Sequence, residues 1–198
     1  MKTVLLSMSV SIAALVATSA GAVPTYDDLS AWQAAVGSYE RDTDYGTNSA
    51  SIGSLTLDDG TTIDFATDVT IYTVGAGWAT WSGGYTGQVL YTQGATTLDM
   101  SLLTSVDALG FFMQPNPFSD QTLTLTLEDG SVISQVVSGT GGAAFFGWVG
   151  AGVTSMTASG TSDFAIGDFY TSAVAEPGAL GLLGLGLIGA AAMRRRRA

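Results

Sequence analysis

Acidic side chains are the only groups in this chain with the chemistry of a general acid, a general base or a hard-metal ligand. Histidine and cysteine are absent, and the one lysine is Lys2. That removes Ser-His-Asp and Cys-His catalysis, His-ligated zinc and the usual neutral-pH base. Schiff-base chemistry in the body of the chain goes with them. Paired carboxylates remain, and a polysaccharide-cleaving enzyme (a glycosidase or lyase) would need two of them about 5–10 Å apart in a cleft, with one pKa raised by apolar surroundings. The stretch Glu40-Arg41-Asp42-Thr43-Asp44-Tyr45-Gly46-Thr47-Asn48 carries oxygen ligands at alternating positions, as calcium favours. Asp42, Asp44 and Asn48 are its candidate ligands. The loop is not an EF-hand, because its glycine is misplaced and the closing glutamate is missing. A solvated acidic turn is the competing reading.

Aromatic residues offer a second kind of site. Trp78, Trp81 and Tyr85 cluster within Gly75–Gly87, where rings on a glycine-bearing loop could stack on sugars. The alternative is that these rings close one end of the core. Trp148, beside Phe145 and Phe146, reads as core. Threonines 122, 124 and 126 share one face, as strand propensity alone produces, and the Gly83-Gly84 and Gly141-Gly142 pairs read as turns without phosphate-loop context. Between Val23 and Ala175 lie sixteen of the chain's 17 Asp and Glu and a single basic residue, Arg41, giving that segment a charge of −15. Nothing there could neutralise phosphates, so a nucleic-acid partner is excluded. No cofactor is required by these residues.

The elements that must position such groups are mostly strands. Thr122-Leu123-Thr124-Leu125-Thr126-Leu127 alternates strictly, with a leucine face for a core. It enters Glu128-Asp129-Gly130 and leaves through Val132–Val136, a hairpin. Leu55-Thr56-Leu57-Asp58-Asp59-Gly60-Thr61-Thr62-Ile63 repeats that pattern, which predicts two similarly built places in one β-structure. Further strands are expected at Val69–Val74, Gln88–Thr92, Ala108–Met113, Ala143–Val149, Val153–Ser159 and Phe164–Tyr170. One short helix is expected from Leu29, Trp32 and Val36, opened by a capping box at Thr25–Asp28, ended by Gly37, with Trp32 buried. Many short strands joined by Gly/Asp/Ser turns predict an all-β, antiparallel sandwich or jelly roll. No helix-period segments separate the strands as a parallel α/β sheet would need.

Both ends of the chain read as addresses. Lys2, the apolar run Val4–Val16 and Ala20-Gly21-Ala22 predict a signal peptide over residues 1–22, handled by the Sec machinery and signal peptidase. An exported domain over 23–173 would then be stabilised without disulfides. At the other end, Glu176-Pro177-Gly178 precedes fifteen uncharged residues, Ala179–Met193, and then Arg194-Arg195-Arg196-Arg197. As a helix the run is about 22 Å long against roughly 30 Å of hydrocarbon. Its leucines and isoleucine supply only about 2–4 kcal/mol of insertion energy. The expectation is a transmembrane helix at 179–193 of marginal stability, with the arginines on the cytoplasmic side.

Val174-Ala175-Glu176-Pro177-Gly178, the Leu/Gly-rich run and the arginine block together resemble a PEP-CTERM sorting domain over residues 174–198. Ala175 stands where the first proline of Pro-Glu-Pro would be. The resemblance implies recognition of Ala175, Glu176, Pro177 and Arg194–Arg197 by an exosortase, a membrane transpeptidase-like enzyme of exopolysaccharide-producing Gram-negative bacteria. Leu109–Phe112, the Asp-Gly hairpin, Phe145–Trp148 and Phe164–Phe169 resemble exoproteins of that family with jelly rolls similar to carbohydrate-binding modules. Gly167 stands where such domains often carry an acid. The implied protein is a non-enzymatic exoprotein, transiently at the inner membrane and then in the envelope or extracellular matrix, with weak exopolysaccharide binding. The carboxylate-dependent enzyme on polysaccharide is the alternative.

Overall fold

The computed structural model describes residues 22–172, so the expected signal peptide, transmembrane helix and sorting residues lie outside the described residues. Eleven strands and one helix follow in chain order: β1 (Thr25–Tyr26), α1 (Leu29–Val36), β2 (Tyr39–Asp42), β3 (Ser51–Thr56), β4 (Thr62–Val74), β5 (Gly77–Trp78), β6 (Gln88–Tyr91), β7 (Thr97–Pro115), β8 (Asp120–Leu127), β9 (Val132–Ser138), β10 (Ala144–Gly160) and β11 (Phe164–Ser172). The result is an all-β sandwich, antiparallel except where β5 lies parallel to β4.

Two long strands build both layers. The first half of β7 pairs with β4 and with the second half of β10, which continues to β8 and β9. The second half of β7 pairs with the first half of β10 and with β11, which continues to β6 and β2. Between the halves, register shifts fall at Val149–Val153 and Val153–Ser155, where bulges let a strand bend from one layer to the other. The strands expected at Ala143–Val149 and Val153–Ser159 are therefore one strand. The expected Ala108–Met113 is likewise only the second half of a strand beginning at Thr97.

Burial explains the layers. In the first half of β7, Leu98, Met100 and Leu102 are buried and alternate with exposed Thr97, Asp99 and Ser101, the pattern of a sheet wet on one side. On β8, Leu123, Leu125 and Leu127 point into the same core. From Ala108 onward β7 is buried on both faces instead, Phe112 only partly, and so is β11 from Phe164 to Thr171. Leu109, Phe111, Met113, Ile166 and Phe169 face the inter-layer core, while Ala108, Phe112, Ala165 and Tyr170 face outward into two smaller clusters. Something must cover that outer face. At one end it is α1, whose Trp32 is fully buried against Phe145 and Tyr170 with its indole N–H on the carbonyl of Trp148 (2.9 Å). Phe145 lies over the paired glycines Gly110 and Gly147. A Cβ on Gly110 would run into that ring, so the ring packs flat on the sheet only where glycine leaves room.

Helix α1 is capped by Asp28, which accepts the amide of Ala31 (2.8 Å), and closes at Gly37 with φ of 79°. The capping box expected from Thr25 is not formed, because Thr25 and Tyr26 are drawn into β1 alongside Trp148 and Gly147. The two expected hairpins are present and alike. Leu57 N–H donates to Thr61 and Gly60 N–H to Leu57, just as Leu127 N–H donates to Ser131 and Gly130 N–H to Leu127. Gly60 and Gly130 take φ of 88° and 86°, which favours glycine at that turn position.

Candidate functional site

The exposed aromatic platform expected of Trp78, Trp81 and Tyr85 is not formed. Trp78 and Trp81 are only 6% and 8% exposed and pack with Val89, Ala143 and Ala165 over the outer face of β6 and β11. The Trp78 indole N–H donates to Gln114 Oε1 (3.0 Å), and the Gln114 amide donates to Thr80 Oγ1 and the carbonyl of Gly139. Such a hydrogen-bonded, buried amide fastens the 75–87 segment to β7. The physical cause is the uncovered half of that face: α1 shields one end, and these indoles shield the other. Tyr85 is partly buried beside Trp81, its hydroxyl donating to the carbonyl of Gln88 (2.6 Å).

Asp42, Asp44 and Asn48 do not act as one ligand set. The expected acidic loop begins as strand, since Tyr39–Asp42 is β2 and pairs with β11. Asp44 accepts the amide of Gly46 (3.2 Å), and Asn48 bridges to β4 by accepting from Thr73 N–H (2.8 Å) and donating to the Ala76 carbonyl. Asp42 turns inward and accepts the amide of Asp58 (2.9 Å). Among the described residues no three acidic side chains converge to hold a metal ion.

Arg41 and Asp168 form a centre that spacing along the chain could not reveal, 127 residues apart. Arg41 Nε and Nη2 donate to the two oxygens of Asp168 at 2.6 and 3.0 Å, the two-pronged arrangement guanidinium favours. The guanidinium carbon lies 5.7 Å from the ring centre of Tyr85 and 5.5 Å from that of Tyr170, within cation–π range. Asp168 is buried and has φ of 55°, at the register shift between Gly167 and Tyr170. Its amide donates to the hydroxyl of Tyr45 (2.7 Å), which donates in turn to the carbonyl of Asp42. A left-handed aspartate is strained, and here the strain aims its carboxylate at Arg41, the only basic residue among the described residues. A polar cleft of about 340 Å³ opens beside Arg41, lined also by Thr43 and Gly83–Gly87.

This aromatic surround has a consequence at high pH. Burial is the first cause that holds Tyr85 and Tyr91 up to about 12, and burial likewise raises Tyr45 and Tyr170. An unfolded tyrosine ionises near 10. Between those values the unfolded chain binds fewer protons than the native one, so stability falls as pH rises. The melting temperature is expected to decline from about pH 10 upward, with these phenols ionising as the fold is lost. Replacing Tyr85 and Tyr91 with phenylalanine should flatten the decline, as a pH series of melting curves with 295 nm absorbance would reveal. Full phenolate absorbance with an intact fold would contradict it.

A groove of about 380 Å³ crosses the wet face of the other layer and includes Asp64, Asp99 and Glu128. Thr154 and Ser155 hold Glu128 below the usual carboxylate range by hydrogen bonding, and Asp99 accepts from the Thr157 hydroxyl (2.7 Å). Asp42, whose carboxyl burial pushes up, does not line that groove.

The described domain is thus a disulfide-free, acidic β-sandwich whose last strand ends at Ser172, paired with Tyr39 of β2. The next residue opens a recognisable signal. Residues 173–197 match the PEP-CTERM protein-sorting motif. A chain with this motif is an exported protein processed at the membrane, and an exosortase is the processing partner. No curated protein matches the chain. Among the described residues no helix is long and apolar enough to cross a membrane.

Proposed function

We propose that this chain is a non-enzymatic exoprotein, delivered by a signal peptide and Sec export. Exosortase then releases it into the envelope or extracellular matrix of a Gram-negative, exopolysaccharide-producing cell. The observation that carries the reading is the sorting motif at 173–197, starting directly after the last residue of β11. The acidic sandwich is the cargo and the tail is the address. Weak contact with the surrounding polysaccharide falls to the polar cleft beside Arg41, since the indoles of Trp78 and Trp81 are occupied in packing.

The acidic groove of the other layer does not favour the carboxylate-dependent enzyme alternative. In the acid-lined groove, Glu128 is shifted in the direction opposite to that of a general acid at neutral pH. Expression in a host with and without a functional exosortase tests the sorting reading. Release in the first and retention of unprocessed chain in the second is expected, and equal release in both would overturn it.

A further inference from the structure

The two Asp-Gly turns are built alike but resolve their charge differently. In each, the second acid of the turn folds back on the following hydroxyl residue: Asp59 accepts both the amide and the hydroxyl of Thr61, and Asp129 those of Ser131. The acid one position earlier is where they part. Glu128 receives three donors from β10, namely Thr154 N–H (3.0 Å), Thr154 Oγ1 (2.7 Å) and Ser155 Oγ (3.1 Å). Its counterpart Asp58 receives none among the described residues, and its own backbone amide sits 2.9 Å from a second carboxylate, that of Asp42.

Asp42 is 5% exposed, and its pairing with core residue Phe169 turns it inward. One of its oxygens holds the turn through the amide of Asp58. The other, Oδ2, is buried and without a hydrogen-bond partner among the described residues. A buried carboxylate oxygen with a second carboxylate against it calls for a compensating positive group. Arg41 does not supply one, being committed to Asp168. Asp58 itself lies on an exposed turn, so an ion could reach the pair from solvent.

We propose that Asp42 and Asp58 bind a calcium ion, clamping the 57–61 turn onto the end of β2. Two carboxylates balance the charge of a divalent ion and supply the hard oxygen donors calcium takes. Solvent and backbone oxygens complete its flexible shell of six to eight. Extracellular calcium modules bind at about 10⁻⁴–10⁻³ M, and the site belongs to that class. The inference stands apart from the sorting motif, because both residues belong to the folded domain.

The test is thermal unfolding of the full chain in detergent at neutral pH, in EDTA and then in about 5 mM CaCl2 or MgCl2. Calcium should raise the melting temperature by about 3–8 °C, and magnesium by much less, because it demands a stricter octahedral shell. Asp58→Asn, on the exposed turn, should lose most of the calcium response, whereas Asp44→Asn should keep it. Calorimetric titration of the wild type should give about one calcium per chain. An equal response to both metals, an unchanged response in Asp58→Asn, or no calcium binding by calorimetry would each overturn the proposal. So would stabilisation by mild acid alone, which would make the pair a shared-proton clasp.

Discussion

Replacing Arg194–Arg197 with alanine is expected to abolish productive sorting while leaving the β-sandwich intact. The apolar run Ala179–Met193 contributes only about 2–4 kcal/mol toward insertion, so its orientation depends on what flanks it. Each basic residue beside an anionic leaflet is worth about 1 kcal/mol, which gives the four-arginine block roughly 4 kcal/mol of orienting preference. Removing it erases a bias of about a thousandfold in population, at 1.4 kcal/mol per tenfold. Protease protection and fractionation of the variant should find unprocessed chain, misplaced or cell-retained. Normal processing would mean that Glu176-Pro177 and the apolar run suffice. A changed unfolding curve of the domain would mean that the substitution acts through the fold and not through sorting.

The largest stability effect is expected at Trp32. Its indole is fully buried with edge-on contacts to Phe145 and Tyr170 at centroid distances of 5.9 and 6.2 Å, and its N–H satisfies the carbonyl of Trp148. Truncating a buried tryptophan to alanine costs about 3–5 kcal/mol, and the hydrogen bond to the Trp148 carbonyl is lost with it. Against a total of about 5–15 kcal/mol, Trp32→Ala should remove a large share of the protein's stability and free α1 from the sheet. Trp32→Phe keeps most of the packing and loses the hydrogen bond, so it should cost about half as much. Denaturant unfolding of the pair checks the order. A Trp32→Ala variant within 1 kcal/mol of wild type, inside the scatter of ordinary surface changes, would mean the helix is not held by this residue.

What could be read from the chain alone was local. Leu123, Leu125 and Leu127 alternate with threonines, and the structure puts all three leucines in the core. The two Asp-Gly turns were legible because each needs a positive-φ glycine beside an acid, and both are present. Trp32 and Gly37 likewise marked the helix and its end. The misreadings all involve partners far away in sequence. Glycine-flanked Trp78 and Trp81 look like a flexible loop until β6 and β11 are seen to need a cover on their outer face. β2 was hidden because three of its four residues, Tyr39, Glu40 and Arg41, are exposed and only Asp42 points inward. Asp168 meets Arg41, and Asp42 meets Asp58, only after the strands have paired. Charge, turn chemistry and period-2 patterning are properties of neighbours, whereas these sites belong to topology.

In the function proposed above, the acidic sandwich is cargo and residues 173–197 are its removable address. Intact-mass spectrometry of the released protein tests this most directly. The released chain is expected to begin at Val23 and end near Pro177, without the arginine block. Released protein that still carries Arg194–Arg197 would contradict it.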